Sequence, residues 1–333
     1  MTRLRRARRE DLTVRRVRRG RGFSYVDAEG APLRDPELYE RARSLGIPPA
    51  WTEVRISPDP LHHIQALGTD AAGRMQYIYH PAWEARRTRR KQQQLALLSA
   101  ALPRIRRKVR DDLAAEAGSK RLALALGVAM IDRTAMRVGR ERYLEAHGTR
   151  GAGTLFTRDV TVKGDTVRIR FPAKSGRTAN YSIADARLAD ALRKVKTIPG
   201  ARLLMYRNGE DRPRAIRTDD LSCYLREIAG VPVTAKDFRT LHASALAAEA
   251  MARLEPAESA SGRKRQMAAV TRQVATFLQN TPAICRASYV APCLYALFDK
   301  GKLAEMWASV TADTHGLRQR EARLTGVLAN SGV

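Results

Sequence analysis

The chain has 333 residues, of which 44% are hydrophobic, so we expect a globular protein with room for two domains. It holds no run of about 18 apolar residues, which excludes a membrane-spanning helix. The formal net charge of +27 indicates a polyanionic partner. Because the basic residues are spread along the whole chain rather than along one amphipathic helix, nucleic acid is favoured over a membrane surface.

Two features of the sequence bear on the cellular compartment. The N-terminus lacks the apolar stretch of a secretory signal. The three cysteines, Cys223, Cys285 and Cys293, have no metal-ligand spacing and suit free thiols in a reducing cytoplasm. We therefore expect a cytoplasmic protein.

The first stretch of the chain is strongly basic. Residues 1–22 contain ten arginines against two acidic residues, Glu10 and Asp11. We predict that residues 1–21 form a basic arm ahead of the first domain. This arm is expected either to be disordered or to lie along phosphates.

A small β-rich domain is predicted over residues 22–90. Short alternating segments predict strands at residues 23–26, 51–56, 64–67 and 76–79. A short helix is predicted at residues 37–45, where Gly46 ends it. On the last strand, Tyr77 and Tyr79 fall on one face because strand side chains alternate.

The second domain, residues 91–333, is predicted to be larger and mainly helical. The chain enters it through a basic run at residues 86–110, which carries ten lysines and arginines and no acidic residue. Pro103 is expected to interrupt the helix in this run. One or two closing helices are predicted over residues 296–333. The expected fold class is α+β, with a β-rich N-terminal domain and a mainly α-helical second domain that contains a three-stranded antiparallel sheet.

Three basic residues of the second domain stand at the ends or starts of predicted elements. The apolar segment 120–135 predicts a buried helix, and Arg137 follows it. Alternation between residues 154 and 183 predicts strands, with Lys174 at or near a hairpin tip. Arg239 comes early in a helix that Thr234 caps. Each of these positions alone is also compatible with a solvated or structural side chain.

The stretch from Asn280 to Tyr289 reads as a short capped helix. Thr281 offers a capping hydroxyl and Pro282 suits the first helical position. Tyr289 follows Pro282 by seven residues, which is two turns on the same face. In so basic a chain, this placement suggests a nucleophile aimed at a phosphate. The alternative is a tyrosine with its ring in the core and its hydroxyl at the surface.

Taken together, these residues resemble the catalytic set of the type IB DNA topoisomerases, in their short viral and bacterial branch. The resemblance covers roughly residues 22–330 and is carried by five motifs. They are Gly73-Arg-Met-Gln-Tyr-Ile-Tyr79, Arg137-Val-Gly139 with Arg142-Tyr-Leu144, Lys174-Ser-Gly176, Lys236-Asp-Phe-Arg-Thr240, and Thr281-Pro282 running to Ser288-Tyr289. The resemblance implies relaxation of supercoiled duplex DNA through a 3′-phosphotyrosine at Tyr289, followed by rotation of the free 5′ strand and religation.

The chemistry of these residue types suits transesterification at a phosphodiester. Such a reaction needs a nucleophile, stabilisation of charge on the non-bridging oxygens, and a proton for the leaving oxygen. Tyr289 supplies the phenol, and Arg137 and Arg239 are always-charged forks that suit two oxygens. Lys174 suits the general acid on the 5′ oxygen. Neither a carboxylate cluster for Mg²⁺ nor a phosphate-binding Gly-rich loop with lysine is present, so no metal and no ATP are implied.

The resemblance also implies how DNA is held. Gln76, Tyr77 and Tyr79 match positions that the family places against the major groove and backbone, where Gln suits base edges and Tyr suits phosphates. The alternative for the two tyrosines is packing on the strand. A monomer with two domains is expected to clamp double-stranded DNA without a small-molecule cofactor, as a cytoplasmic, nucleoid-associated enzyme.

One position departs from the family pattern. The family commonly has a histidine nine residues before the nucleophile, where this chain has Asn280. Asparagine can donate a hydrogen bond to a phosphate oxygen but carries no charge. His242, three residues after Arg239, is expected to serve packing or capping rather than to replace the missing histidine.

Two other functions are compatible with parts of the pattern. A tyrosine recombinase would use the same nucleophile and arginines, but it typically has a histidine three residues before the second arginine, where this chain has Lys236. A non-catalytic architectural DNA-binding protein would explain the charge. It would not explain the ordered set of Arg137, Lys174, Arg239 and Tyr289.

Overall fold

The computed structural model describes residues 3–311 and 316–330. Residues 312–315 and 331–333 fall within the stretch predicted to form the closing helices, and they lie outside the described residues. The chain divides into two compact units, Met1–Arg90 and Lys91–Val333. The α+β fold class is confirmed, since a β-rich first unit precedes a mainly helical second unit. None of the helices in the described ranges is long and apolar enough to span a membrane.

The first unit is built on a five-stranded antiparallel sheet. Its elements are β1 (Val14–Arg19), β2 (Gly22–Val26), α1 (Pro36–Ser44), β3 (Thr52–Ile56), β4 (Ile64–Thr69) and β5 (Met75–Tyr79). The strand order is β2-β1-β3-β4-β5. The Asp35 carboxylate caps the start of α1, because it accepts from the backbone N–H groups of Glu37 and Leu38. A small apolar core that includes Val14, Ile56 and Ala66 packs on one face of the sheet.

The predicted basic arm is wrong, because residues 14–19 form strand β1 within the sheet and Leu12, ahead of it, is fully buried. The pairing joins Arg19 to Gly22, so the segment is one arm of a tight hairpin. Arg16 explains why a charge-rich segment folds here. Its guanidinium donates to the carbonyls of Ile47 and Trp51, at 3.0 and 2.7 Å, and stacks over the Phe23 ring. The guanidinium thus ties β1 to the loop that precedes β3.

The second unit contains eleven further helices, counting the part of α2 after residue 90, and five strands among the described residues. The helices are α2 (Pro81–Leu113), α3 (Lys120–Thr134), α4 (Glu141–His147), α5 (Ala186–Lys196), α6 (Thr218–Ala229), α7 (Ala235–Ala252), α8 (Ala260–Leu278), α9 (Pro282–Ser288), α10 (Pro292–Asp299), α11 (Leu303–Ser309) and α12 (Leu317–Asn330). The strands are β6 (Val160–Lys163), β7 (Thr166–Pro172), β8 (Thr178–Ala184), β9 (Met205–Arg207) and β10 (Pro213–Ala215).

Helix α3 lies at the centre of the second unit. Twelve of its residues are buried, whereas an amphipathic surface helix would bury one face only. The burial of this apolar segment agrees with the prediction from the sequence. The three-stranded antiparallel sheet is present in the order β6-β7-β8, with Val167, Ile169 and Phe171 buried on one face. A further two-stranded sheet of β9 and β10 was not predicted as a pair.

The predicted interruption at Pro103 is wrong, because α2 continues through it from Pro81 to Leu113. A proline inside a helix loses one backbone hydrogen bond and crowds the preceding turn. Leu98, Leu102 and Ile105 are buried on either side of it. Their burial against the core offsets that cost, and tertiary packing therefore overrides the local preference.

Candidate active site

A single cleft of the second unit brings most of the predicted residues together. Its volume is about 760 Å³. Seven of its lining residues are basic, and no Asp or Glu is among the described residues that line it: Arg137, Arg140, Arg150, Lys174, Arg177, Lys236 and Arg239. Tyr289 lines the same cleft. Of the basic set, Arg150 is neutralised by Asp159 at 2.5 Å. The remaining charges make the cleft a strong site for an anion.

Arg137 is held at the cleft by a close backbone contact. Its carbonyl accepts from Ala152 N at 2.9 Å, and the next carbonyl, of Val138, accepts from Gly153 N at 2.7 Å. Gly139 has a φ of 79°, and a Cβ there or at Gly151 would collide with the opposing segment. In the Arg-Val-Gly motif, packing therefore requires the glycine, and the arginine supplies the charge.

Arg239 is buried between the C-terminal ends of two helices. Its side chain donates to the carbonyl of Ala135 after α3 and to that of Leu278 at the end of α8, the latter at 3.0 Å. Only 3% of the residue is exposed, and its Nε has no hydrogen-bond partner. Helix ends carry partial negative charge, which suits a guanidinium. Arg239 is thus fixed in place by neutral groups, and no carboxylate of the described residues forms an ion pair that would cancel its charge.

The chain turns toward the cleft directly after each of the two helices that hold Arg239. Ala135 and Gln279 both adopt left-handed backbone conformations, with φ of 53° and 51°. Ala135 leads directly to the Arg137 segment, and Gln279 leads to the short helix before Tyr289. Non-glycine residues adopt this conformation at some cost, so both turns are imposed by the surrounding structure.

The electrostatics of the cleft reflect two neighbouring guanidinium groups. Burial lowers the pKa of Arg137, and the charge of Arg239 lowers it further. Tyr181 of β8 lies within the field of both arginines. Burial raises the pKa of its phenol, while Arg239 and Arg137 work in the opposite direction. An anion in this cleft would relieve the repulsion between the two arginines.

Tyr289 ends helix α9 and faces the arginines. Thr281 caps the helix as predicted, with its Oγ1 accepting from Ile284 N at 3.3 Å, and Pro282 occupies the first turn. Tyr289 is the C-cap residue rather than part of the second turn. The guanidinium carbon of Arg239 lies 5.0 Å from the centroid of its ring, and Lys236 Nζ lies 5.9 Å from it. The tyrosine is therefore half-buried among positive charges.

Lys174 stands at the tip of the β7–β8 hairpin, as predicted. A 3-10 turn spans residues 174–176, and Gly176 has a φ of 69°. The hairpin is closed below the turn by Ala173 N, which donates to Arg177 O at 2.7 Å. Lys174 is exposed and lines the cleft. Its place on the hairpin tip sets it apart from Arg239, which lies within helix α7.

Asn280 is near this group but does not line the cleft. Its side-chain oxygen accepts from Thr281 N at 3.1 Å, and its backbone N–H donates to Ala275 O at 2.9 Å. The residue is half-buried. Its carbonyl oxygen thus serves the turn between α8 and α9.

The three predicted DNA-contacting residues of the first unit lie together on β5. Tyr77 and Tyr79 stack with ring centroids 5.8 Å apart, and Tyr77 is 45% exposed. Arg87 lies over the Tyr79 ring at 5.2 Å. Gln76 Nε2 donates to the Asp70 carboxylate at 2.8 Å. Tyr77 is therefore exposed at the surface, whereas Tyr79 is half-buried.

A second cluster of charged residues lies behind the cleft, and we term it the carboxylate network: Arg106, Asp132, His242 and Glu321. The Arg106 guanidinium contacts Asp132 Oδ1 and Glu321 Oε2, both at 2.7 Å. His242 Nε2 lies 2.7 Å from the backbone oxygen of Asp132. As predicted, His242 packs within the fold and is absent from the lining of the cleft.

The carboxylate network contains one group of side chains that could ligate a metal ion. In the described ranges, Asp132, His242 and Glu321 are the three residues close enough to do so. Arg106, however, donates into both carboxylates. A guanidinium bonded to both acids already supplies the positive charge that a cation would bring. The donor set fits an internal salt bridge better than a metal site.

Sequence reasoning left several residues of the cleft and its surroundings outside the site. Lys236 had a local signal, since it stands in the Lys-Asp-Phe-Arg motif. Tyr181 and Ser244 had none, because a tyrosine on a strand and a serine in an alanine-rich helix are ordinary. Ser244 Oγ donates to Tyr289 O at 3.2 Å. Only the tertiary structure reveals this contact.

Comparisons with known proteins agree with this arrangement. Residues 81–292 match the family model described as eukaryotic DNA topoisomerase I, catalytic core. Residues 22–70 match that of the bacterial DNA topoisomerase IB, N-terminal domain. A curated relative, the DNA topoisomerase 1B of Acanthamoeba polyphaga mimivirus, is 29% identical over 258 residues, which cover 75% of this chain and 77% of the relative.

The fold and these matches define an enzyme that changes the topology of DNA. The chain belongs to the type IB DNA topoisomerase family, in its short viral and bacterial branch, as the motifs predicted. It is an isomerase that relaxes supercoiled duplex DNA by the type IB mechanism. The alternatives of a tyrosine recombinase and of an architectural protein are set aside by the same matches.

Proposed function

We propose that Tyr289 is the nucleophile of strand cleavage and that the product is a 3′-phosphotyrosine. The phenol loses its proton to solvent, and its oxygen forms a bond to phosphorus as the bond from phosphorus to the 5′ oxygen breaks. The free 5′ strand then rotates, and the reverse reaction rejoins it. One observation carries this assignment. The ring of Tyr289 lies 5.0 Å from the Arg239 guanidinium, in a cleft lined by basic residues and by no described carboxylate.

The basic residues of the cleft divide the remaining work. Arg137 and Arg239 hold the non-bridging oxygens, because an arginine stays protonated and offers N–H groups in a fork. Arg239 still has an unpartnered Nε–H after bonding two carbonyls. Lys174 gives its proton to the departing 5′ oxygen. Its place on an exposed hairpin tip lets it approach the leaving group without disturbing the helices.

Asn280 is proposed as a weaker donor to the same phosphate. Its side-chain oxygen is engaged by Thr281 N, which leaves the amide nitrogen as the group that can donate. The residue immediately precedes the helix that ends at Tyr289. A small rearrangement on DNA binding would be needed to bring its amide into the cleft.

We propose that one monomer engages the duplex with both units, and that the units correspond to an N-terminal DNA-binding domain and a catalytic domain. Gln76 contacts base edges, while Tyr77 and Tyr79 contact the backbone. No ATP, metal or other cofactor is proposed, because the cleft residues supply the nucleophile, the charge and the proton. A cytoplasmic, nucleoid-associated location is part of this proposal.

The decisive experiment is relaxation of supercoiled plasmid in EDTA without nucleotide. We expect positively and negatively supercoiled plasmids both to be relaxed by the wild type. Tyr289→Phe should bind DNA but form no covalent adduct on a denaturing gel. Binding by the variant should still weaken steeply with salt, because phosphate neutralisation is unchanged.

The matched control is Tyr295→Phe. The Tyr295 hydroxyl is buried and lies 2.8 Å from Thr271 Oγ1, so it is not available to a phosphate. This variant should form the adduct as the wild type does. A strict need for Mg²⁺ or ATP would refute the metal-independent mechanism, and an adduct formed by Tyr289→Phe would refute the nucleophile.

A further inference from the structure

The backbone that follows Tyr289 is held by side chains from two helices. Ser244 of α7 donates to Tyr289 O at 3.2 Å and accepts from Ala291 N at 3.0 Å. Lys91 of α2 donates from its ammonium group to Val290 O at 3.1 Å. These contacts fix the peptides on the C-terminal side of the tyrosine. Its N-terminal side is fixed by α9 itself, through Tyr289 N to Cys285 O at 3.0 Å.

Lys91 is an unexpected residue for this position. Among the described residues no carboxylate lies within salt-bridge distance of it. Burial lowers its pKa to about 8, and the positive charge of Lys236 on α7 contributes to the shift, while Cys293 of α10 acts in the opposite direction. An apolar side chain would avoid the cost of burying an amine here. The amine is therefore retained against a local penalty.

Helix α2 makes a second contact near the same place. Gln94, three residues after Lys91 and so on the same side of the helix, donates from Nε2 to Asp237 Oδ2 at 3.2 Å. Asp237 belongs to the first turn of α7, next to Lys236. One face of α2 thus contacts both the segment after the nucleophile and the start of the helix that carries Arg239.

We propose that Lys91 is a positioning residue for the nucleophile, acting through its hydrogen bond to the carbonyl that follows Tyr289. The proposal rests on the assignment of Tyr289 as nucleophile. A charged donor makes a stronger bond to a carbonyl than a neutral one does. By restraining the Val290 peptide, Lys91 limits the positions that the Tyr289 ring can take beside Arg239. Attack on phosphorus depends on such alignment, since a displacement of about 1 Å can slow a reaction by about 10²-fold.

The test is Lys91→Met, which keeps a long, flexible side chain and removes the donor and its charge. We expect single-turnover cleavage at pH 7 to fall about tenfold, the usual effect of one hydrogen bond to a charged group. Affinity for uncleaved DNA should stay near the wild-type value. The unfolding temperature should be unchanged or higher, because a buried amine has been replaced by an apolar group. Lys91→Arg, which keeps a charged donor, should recover part of the rate.

Lys300→Met is the matched control, because it removes one lysine charge at an exposed position outside the cleft. It should cleave at the wild-type rate. Unchanged cleavage by Lys91→Met would overturn the proposal. So would a loss of rate that is matched by a fall in unfolding temperature, since that result would indicate a purely structural role. An adduct formed by Tyr289→Phe would instead refute the nucleophile, independently of any result at Lys91.

A pH profile gives a second readout that a structural residue would not change. The Lys91 ammonium is present below its pKa of about 8 and is lost above it. The ratio of wild-type to Lys91→Met cleavage rates should therefore be largest below pH 8 and fall toward one as the pH rises through it. Titrations that the two proteins share cancel in this ratio. A ratio close to one over the whole range from pH 6 to pH 9.5 would overturn the proposal.

Discussion

The carboxylate network and the cleft use buried arginine in opposite ways. In the network, Arg106 donates to Asp132 and Glu321, so each positive charge faces a negative one. In the cleft, Arg239 donates to two neutral carbonyls, and no carboxylate is among the described lining residues. Burial alone therefore does not distinguish a functional arginine. The distinction is whether the protein has already neutralised its charge.

This difference has a cost and a use. In the network, the carboxylates and the Arg106 guanidinium stabilise each other's charged forms. Burial alone would raise the pKa of Asp132, but its contacts with Arg106 hold that pKa below its usual value. In the cleft, Arg137 and Arg239 repel one another. The free protein thus holds a positive potential at the cleft, and a bound phosphate relieves the repulsion between the two arginines. The free energy of binding is therefore concentrated at the phosphate that reacts.

The largest expected effect on the cleavage rate comes from replacing Arg239 of the cleft, and replacing Arg106 of the carboxylate network gives the comparison. Arg239→Ala should lower single-turnover cleavage by at least about 10³-fold, since it removes a charged donor from the transition state. Arg106→Met should leave cleavage by folded protein within a few-fold of wild type. It should instead lower the free energy of unfolding by about 3–5 kcal/mol, because two buried carboxylates lose the guanidinium that joins them and Asp132 keeps only Arg133. Rapid-quench cleavage and urea unfolding measure the two quantities.

The two variants serve as controls for each other. If Arg106→Met slowed chemistry as much as Arg239→Ala while remaining folded, the distinction between neutralised and available arginines would fail. Arg239→Ala also frees the carbonyls of Ala135 and Leu278, so a loss of stability of about 1–3 kcal/mol is expected there too. That loss is too small to unfold a domain of this size, and cleavage remains measurable.

A smaller effect on cleavage, which depends on the substrate, is expected for Lys174 at the hairpin tip. Lys174→Ala should slow cleavage of ordinary DNA by roughly 10²-fold or more, which is typical of losing a general acid. DNA with sulfur at the bridging 5′ position should be cleaved by the variant almost as fast as by wild type. An alkoxide leaving group needs a proton, whereas a thiolate does not. Equal slowing of both substrates would mean that Lys174 is not the acid.

The sequence predicted the residues of the cleft better than it predicted how they are held. Arg137, Lys174, Arg239 and Tyr289 could be found because each stands in a short motif beside a recognisable helix end or turn. The structure brings all four to one cleft. The three-stranded sheet β6-β7-β8 and the buried helix α3 followed from periodicity, since both patterns are local.

What the sequence did not predict depends on contacts between distant segments. Arg16 reads as part of a charged arm, yet it bonds the carbonyl of Trp51, 35 residues away. Lys91 reads as one lysine in a basic run, yet its partner Val290 is 199 residues away. Pro103 reads as a helix break, although the core covers the residues around it. Local propensity carries no information on such partners.

The smallest expected effect tests how far Asn280 belongs to the cleft. Its side-chain oxygen caps Thr281 N, and it is not among the residues that line the cleft. We therefore expect Asn280→Ala to slow cleavage by only about tenfold, the effect of one neutral hydrogen bond and less than that of a preformed charged donor. Single-turnover cleavage, with thermal unfolding in parallel, measures the change.

Two further substitutions separate the donor from the cap at this position. Asn280→Asp keeps an oxygen for Thr281 N but removes the amide donor and adds a negative charge that opposes the phosphate. Asn280→His keeps a donor and loses that oxygen. If Asn280 donates to the phosphate, the histidine variant should cleave faster than the aspartate variant. If Asn280 only caps the turn, the aspartate variant should be the more stable and at least equally active. Asn280 would then belong to the support of Tyr289, together with Ser244 and Lys91, rather than to the residues that contact DNA.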